Sequence, residues 1–184
     1  MAKQAIVLSL YQKLRKEELV MNYINKSNQI TEGLRKSFHN AECKMANRIC
    51  YGYTTAADGE LAINEIEAKV VRFIFKRYLS GNSFGKIATA LEKQGILSPT
   101  GKAKWNREAI SKLLSNEKYT GSVLLQKTMS FAGIQLQNDG ELDQVLIKGH
   151  HAPIISTSDF EKVQQMKNER SKNQTQDCGM KMSL

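Results

Sequence analysis

The sequence lacks the long apolar run that a membrane-spanning protein carries. No stretch of the 184 residues approaches the ~18 consecutive apolar residues that a spanning helix needs, and the mean hydropathy is −0.44. The first residues include a short apolar stretch but no cleavage site of small residues, so we expect no signal peptide. These absences exclude a membrane span and predict a cytoplasmic protein.

Metal ligands and catalytic groupings are scarce as well. The cysteines, Cys43, Cys50 and Cys178, form no Cys-x-x-Cys pair, and His150 and His151 have no third ligand near them in the sequence. The groupings typical of a hydrolase, paired carboxylates or a nucleophile beside a base, are not found in the sequence. We therefore expect reduced thiols, no metal site and no cofactor.

Basic residues, in contrast, are in clear excess. The chain has 27 Lys and Arg against 18 Asp and Glu, a formal net charge of +9, and its pI is about 9.5. Such an excess favours a polyanionic partner, of which DNA and RNA are the usual ones. Ribosomal and membrane-surface proteins share this composition, so charge alone does not choose among these classes.

One long helix, or two in succession, is predicted at residues 1–40, because no proline interrupts them and apolar residues recur every three to four positions. In its second half only Ile30, Leu34 and Phe38 form an apolar stripe. So narrow a stripe is typical of a helix that packs on a partner or crosses a nucleic acid, although a solvated helix of a bundle has the same pattern. Self-association through this helix is one expectation.

Three shorter helices are predicted further along the chain. Asn64, Ser83 and Asn106 each precede an amphipathic segment and suit the N-cap position, where a side-chain oxygen accepts from a free backbone N–H. In the first of these helices Glu67 is expected to reach back and complete a capping box. Ile66 is expected to begin the buried face of the same helix.

Two helices, a loop and a third helix within about 50 residues form a helix-turn-helix arrangement, whose last helix enters the major groove with its N-terminal end first. Residues 101–127 contain six basic and two acidic side chains, a net charge of +4. Lysines there would bind phosphates, while Asn106 and Arg107 contact base edges. The loop before the third helix is longer than the tight turn of the simplest motif, and Trp105 is expected to anchor it in the core. The candidate DNA-binding residues of this segment are Lys102, Lys104, Asn106, Arg107, Ser111, Lys112 and Lys118.

Beyond this motif the pattern predicts strands and a last helix. "SVLLQK" and "QVLIKG" suit strands, separated by a polar insertion around Asn138-Asp139-Gly140. Ser156, three residues before Asp159, suits the start of the last helix. The fold class is therefore α+β and mainly α, with a small β-hairpin or sheet. The predicted domains are a helix at 1–40, a linker at 41–50, a compact domain at 51–168 and a polar tail at 169–184.

The compact domain resembles the recombinase domain of large serine recombinases, the phage-type integrases and mobile-element transposases. The resemblance covers roughly residues 50–165, and "HAPIISTSDFEKVQ" is similar to the end of that domain. The residues that carry it are Tyr51-Gly52-Tyr53, Tyr78, Ser83, Ile87-Ala88, Gly95-Ile96, Pro99, Gly101, Trp105, Asn116, Tyr119 and Gly121.

The resemblance implies sequence-specific binding of double-stranded DNA at an attachment-type site, in a bacterium or phage, during integration, excision or transposition. In this family a catalytic serine domain precedes the long helix and a zinc ribbon follows the recombinase domain, and neither pattern is present in these residues. We therefore expect the parent protein to be a serine site-specific recombinase and this part to bind DNA without cutting it. The family's linker follows the minor groove, which makes Lys44 and Arg48 further candidates.

Two other functions share part of these features. A helix-turn-helix transcriptional regulator with a helical dimerisation arm has a similar layout, but it lacks the motif that continues through Gly121 to the helix at Phe160. A structural or RNA-binding protein with a nonspecific basic surface would bind without regard to sequence or to the Arg107 side chain.

Overall fold

The structure is a computed structural model that describes residues 22, 32–33, 36, 46–131, 134–140 and 142–180. Apart from four of these positions, the helix predicted at 1–40 lies outside the described residues, as does the candidate Lys44. Two compact units are distinguished, Met1–Lys44 and Met45–Leu184. The helices and strands described here belong to the second unit.

The three predicted helices are confirmed, with the predicted caps. They are α1 (Glu65–Leu79), α2 (Phe84–Lys93) and α3 (Arg107–Leu114). The Asn64 side chain accepts from two N–H groups of α1. Ser83 Oγ accepts from the Lys86 N–H at 3.3 Å, and Asn106 Oδ1 accepts from the Glu108 N–H at 3.0 Å. Each cap therefore satisfies backbone donors that a helix start leaves without intrahelical partners.

Two predictions for α1 are wrong. Glu67 does not complete a capping box, because the Asn64 N–H already donates to the Gly52 carbonyl at 3.0 Å. The Glu67 carboxylate instead accepts from the Gly52 N–H at 2.7 Å. Ile66 is 81% exposed. The buried face is centred on Val71, and at about 100° per residue Ile66 lies about 140° away around the helix.

Six short strands of the described residues form three two-stranded antiparallel sheets. The two predicted strands are confirmed and pair with each other, with Val123 opposite Ile147. The insertion between them contains a further hairpin that the sequence did not indicate, with Thr128 opposite Gln137. Its strands have only four residues each, too short for an alternating pattern to stand out. The strands are β1 (Tyr53–Thr55), β2 (Leu61–Ile63), β3 (Val123–Leu125), β4 (Thr128–Phe131), β5 (Ile134–Gln137) and β6 (Val145–Ile147).

The Tyr51-Gly52-Tyr53 segment joins distant parts of the domain. The Tyr53 hydroxyl donates to the Ala152 carbonyl at 2.9 Å, and the Tyr119 hydroxyl donates to the Tyr51 carbonyl at 2.9 Å. Burial raises the pKa of both phenols. Gly52 has a φ of +98°, which favours glycine. This motif is therefore a packing junction inside the domain.

The last helix, α4, spans Thr157–Met180. As predicted, it begins after Ser156, whose hydroxyl accepts from the Asp159 N–H at 3.1 Å. Its backbone continues beyond the predicted boundary at 168 and through most of the expected polar tail. The buried Val163 joins the main core.

Side chains of α4 bind the ends of the earlier helices. Gln164 Nε2 donates to the Leu114 carbonyl at the end of α3, at 2.7 Å. Lys167 Nζ donates to the Ser111 carbonyl at 3.0 Å. Arg170 donates to the Gly81 carbonyl, just after α1, at 3.1 Å. These bonds satisfy carbonyl groups near helix ends, which have no intrahelical donor.

The predicted fold class, α+β and mainly α, is confirmed: within the described part of the second unit, four α-helices pack with three small sheets. Among the residues that the structure describes, no helix is both long and apolar enough to cross a membrane.

Candidate nucleic-acid interface

Trp105 fixes the loop between α2 and α3, as expected of a core anchor. It is 2% exposed, and its indole N–H donates to the Ile96 carbonyl at 2.8 Å. A tight turn follows Ile96 along the chain, in which the Ser98 N–H donates to the Lys102 carbonyl at 2.9 Å. The Lys102 N–H in turn donates to the Ser98 hydroxyl at 3.1 Å. The long loop is thus ordered by its own bonds, and it presents Lys102 and Lys104 at the surface.

A groove of about 670 Å³ lies between α2 and the start of α3. Four of the sequence-predicted DNA-binding residues line it together with Trp105 and part of α2. The lining residues are Gly85, Ala88, Thr89, Glu92, Lys102, Lys104, Trp105, Asn106 and Arg107. The groove therefore has three cations and one carboxylate.

Arg107 lies across the beginning of α2. A β-carbon placed on Gly85 would be 3.2 Å from Nη2, 3.3 Å from Nε and 3.5 Å from Cζ of Arg107. Among the described residues, no carboxylate or carbonyl accepts a hydrogen bond from this guanidinium. Its donors are therefore available to an incoming ligand.

Asn106 is at the groove, but its side-chain oxygen already caps α3. While that bond holds, the amide can offer only its NH₂ group to a ligand. A bidentate contact with adenine uses both the oxygen and the nitrogen of an asparagine. Asn106 can therefore donate one contact without loss of the cap.

Lys112 and Ser111 lie outside the groove lining. Lys112 forms an ion pair with Glu108, one turn earlier on α3, at 2.8 Å. This pairing lowers the pKa of the Glu108 carboxyl. Ser111 lines a different cavity, together with Lys167 and Arg170 of α4.

Lys118 and Arg48 meet on another part of the domain. Lys118 Nζ donates to the Ala46 carbonyl at 2.9 Å and to the Arg48 carbonyl at 2.6 Å. Burial lowers the pKa of the Lys118 ammonium. The structure thus gives Lys118 a role in holding residues 46–48, while the Arg48 side chain is exposed.

Sequence reasoning missed the α2 side of the groove. Gly85, Thr89 and Glu92 follow one another at spacings of four and three, which places them on one face of α2. That periodicity could have identified the face, but its mixed small and polar residues resemble an ordinary solvated surface. Among the described residues, no three His, Cys, Asp or Glu side chains lie close enough together to hold a metal ion.

The chain was compared with known proteins. Residues 65–170 match the family model described as Recombinase. A crystal structure of an LSR–DNA complex has 27% sequence identity and a TM-score of 0.45, over 65% of this chain and 32% of that one. A structure on the sequence requirements of the Listeria innocua prophage attP site has 25% identity and a TM-score of 0.50, over 73% of this chain and 51% of that one. The chain thus spans about half or less of the solved structures that it matches.

Because the family model covers more than half of the sequence, the chain belongs to the recombinase family. The match runs through Gly121 and past Phe160, the region by which the sequence distinguishes this domain from a simple helix-turn-helix regulator. It also contains the entire groove between α2 and α3.

Proposed function

We propose that this chain binds double-stranded DNA in a sequence-specific manner, through the groove between α2 and α3, as the recombinase domain of a serine site-specific recombinase. The biological context is DNA integration, excision or transposition by a prophage or another mobile element. The domain's task is to hold one half of an attachment-type site in register for the chemistry of the full recombinase.

The observation that carries this proposal is the charge of the groove. Lys102, Lys104 and Arg107 converge on it, and within the described part of the chain none of them forms an ion pair or a side-chain hydrogen bond. Lys112, on the same helix, has a carboxylate partner. Three cations that form no ion pair, against one carboxylate, give this concave surface an excess of positive charge. Such an excess favours a polyanion, and a duplex supplies evenly spaced phosphates.

The relatives support DNA as that polyanion. The matched structures concern an LSR–DNA complex and a prophage attP site, and the second has the same fold over most of this chain. An attP site is a DNA sequence at which a phage recombines, so a chain of this family would bind a site of that class.

The groove residues suit two kinds of contact, with phosphates and with base edges, as a domain that recognises a DNA sequence requires. Lys102 and Lys104 lie on the loop, where flexible ammonium groups reach phosphates and fix the position of the protein. Arg107 is the first residue of α3, the end of the helix that enters a major groove first. Its planar guanidinium can donate two bonds to one guanine edge.

Selection of bound duplexes from a random DNA pool tests this proposal. Wild type, Arg107→Ala and the matched control Lys112→Ala are compared at about 50 mM and about 200 mM salt. We expect wild type and Lys112→Ala to enrich the same motif, and Arg107→Ala to lose preference at one position. A lost bidentate contact corresponds to about 1–3 kcal/mol of discrimination.

Equal recovery of all sequences by the three proteins would leave only a nonspecific basic surface and would refute the proposal. Self-association through residues 1–40 and contacts by Lys44 and Arg48 remain predictions. Comparison of the full chain with a chain that begins at residue 45 by analytical ultracentrifugation tests the self-association, and the same selection with Lys44→Ala and Arg48→Ala tests the contacts.

A further inference from the structure

Gly85 occupies a position where its own backbone does not require glycine. It is the second residue of α2, and its φ is not among the positive values found at other glycines. Inside a helix, glycine is less favourable than alanine because it loses more conformational freedom on folding. The reason for a glycine here must therefore lie in what surrounds it.

Its surroundings are the guanidinium of Arg107. The three heavy atoms nearest to a β-carbon at Gly85 would all belong to that group, at 3.2, 3.3 and 3.5 Å. These distances bring the Nε–Nη2 side of the guanidinium closer to this position than an ordinary side-chain contact allows. Any side chain at this position would displace it by at least a few tenths of an ångström.

We propose that Gly85 is a positioning residue for DNA recognition: because it has no side chain, it leaves the space beside α2 that the Arg107 guanidinium occupies in the groove. This inference rests on the proposed function. A bidentate contact with guanine depends on the plane of the fork as well as on its distance. A guanidinium that already packs beside α2 before DNA arrives has less freedom to lose, which lowers the cost of ordering a long side chain on binding.

The proposal separates stability from recognition, and this makes it testable. Gly85→Ala improves helix propensity, so the variant should unfold at the same temperature as wild type or at a higher one. Its DNA binding should nevertheless weaken, because the new methyl group tilts or displaces the guanidinium. A glycine that serves only the fold would give the opposite result, a lower unfolding temperature with unchanged preference among sequences.

The experiment is a double-mutant cycle with wild type, Gly85→Ala, Arg107→Ala and the double variant. Binding of the full 184-residue chain to a duplex with the selected motif is measured by fluorescence anisotropy, together with thermal unfolding. We expect Gly85→Ala to raise Kd at least about threefold, and to weaken preference at the same base position that Arg107→Ala weakens. In the Arg107→Ala background the glycine change should alter Kd by less than about 1.5-fold.

The other outcomes overturn the proposal in distinguishable ways. If Gly85→Ala binds like wild type while Arg107→Ala loses its base preference, the proposed function stands and the role of Gly85 is wrong. If Gly85→Ala weakens binding equally in both backgrounds, Gly85 acts without Arg107. If Arg107→Ala itself binds like wild type, the proposed function fails, and the inference fails with it.

Discussion

Replacement of Gly121 by alanine tests how closely two distant segments must approach. Gly121 ends the 3₁₀ helix Glu117–Thr120 with a φ of +77°. A β-carbon there would lie 2.5 Å from the His151 carbonyl oxygen, a backbone atom that cannot rotate away. The Gly121 carbonyl also accepts from the His150 N–H at 2.9 Å, so a shift that relieves the clash strains this bond.

The cost has two parts that a matched control separates. A left-handed conformation costs a residue with a β-carbon about 1–2 kcal/mol. Gly95 has a φ of +66° and no heavy atom within 4 Å of a β-carbon, so Gly95→Ala should lose that amount alone. At Gly121 the backbone must also move and weaken contacts with the His150–His151 segment, at a cost of about 1–3 kcal/mol. We expect a total of about 2–5 kcal/mol for Gly121→Ala.

Urea unfolding followed by fluorescence measures both variants, because the chain has a single tryptophan and Trp105 is buried. The expected result is a lower midpoint for Gly121→Ala than for Gly95→Ala, with a similar slope. Equal losses of unfolding free energy in the two variants would mean that the Gly121 and His151 segments can move apart without loss of stability. The reasoning from the 2.5 Å contact would then be refuted.

Two further predictions concern salt and pH. Lys102→Ala and Lys104→Ala should each lower the magnitude of the slope of log K against log salt by about 0.9, because one phosphate contact is lost. The control Lys112→Ala should change the slope less. Equal slopes in the wild type and the three variants would contradict this assignment. Burial lowers the pKa of His151 in the folded protein. Because the unfolded chain then binds this proton more tightly, the free energy of unfolding should decrease as the pH falls below the histidine pKa of the unfolded chain, about 6.5. His151→Gln should have a flatter unfolding profile between about pH 7 and pH 5, and profiles that run parallel to wild type would contradict this.

The tautomers explain why His151 should resist protonation. The Lys118 carbonyl can only accept, so His151 Nε2, at 2.7 Å, carries the proton that it donates. The other ring nitrogen, Nδ1, then faces His150 Nδ1 at 3.2 Å and accepts from it. A second proton on His151 would set two donors against each other, in addition to the cost of a buried charge beside the Lys118 ammonium.

The helix starts could be predicted because each is a local property of the chain. A cap joins a side chain to an N–H only two or three residues later, so Asn64, Ser83 and Asn106 carry their signal within four positions. Trp105 was also predictable, since a large indole just before an amphipathic helix has apolar surface to bury. The α3 side of the candidate site could therefore be predicted from the sequence.

The rest of the site depends on contacts that have no local signal. Lys118 resembles the other cations of its basic segment, and only the fold brings it to carbonyl groups about 70 residues earlier. The close contact between Gly85 and Arg107 depends on the angle at which α2 and α3 pack. Ile66 shows the same limit within one helix, because its apolar character suggested burial while the position of the neighbouring elements decided the buried face.

Side chains of α4 bind both α3 and the turn between α1 and α2. Gln164 binds the carbonyl that ends α3, and Arg170 binds the turn between α1 and α2 and lies over the Tyr78 ring at 4.6 Å. A helix that follows α3 by more than 40 residues therefore holds the end of α3 and the turn that leads into α2. The family match begins at Glu65, the first residue of α1, and ends at Arg170. Those limits have a physical reason, because a shorter helix-turn-helix segment would leave the Leu114 and Gly81 carbonyl groups without the donors that α4 supplies.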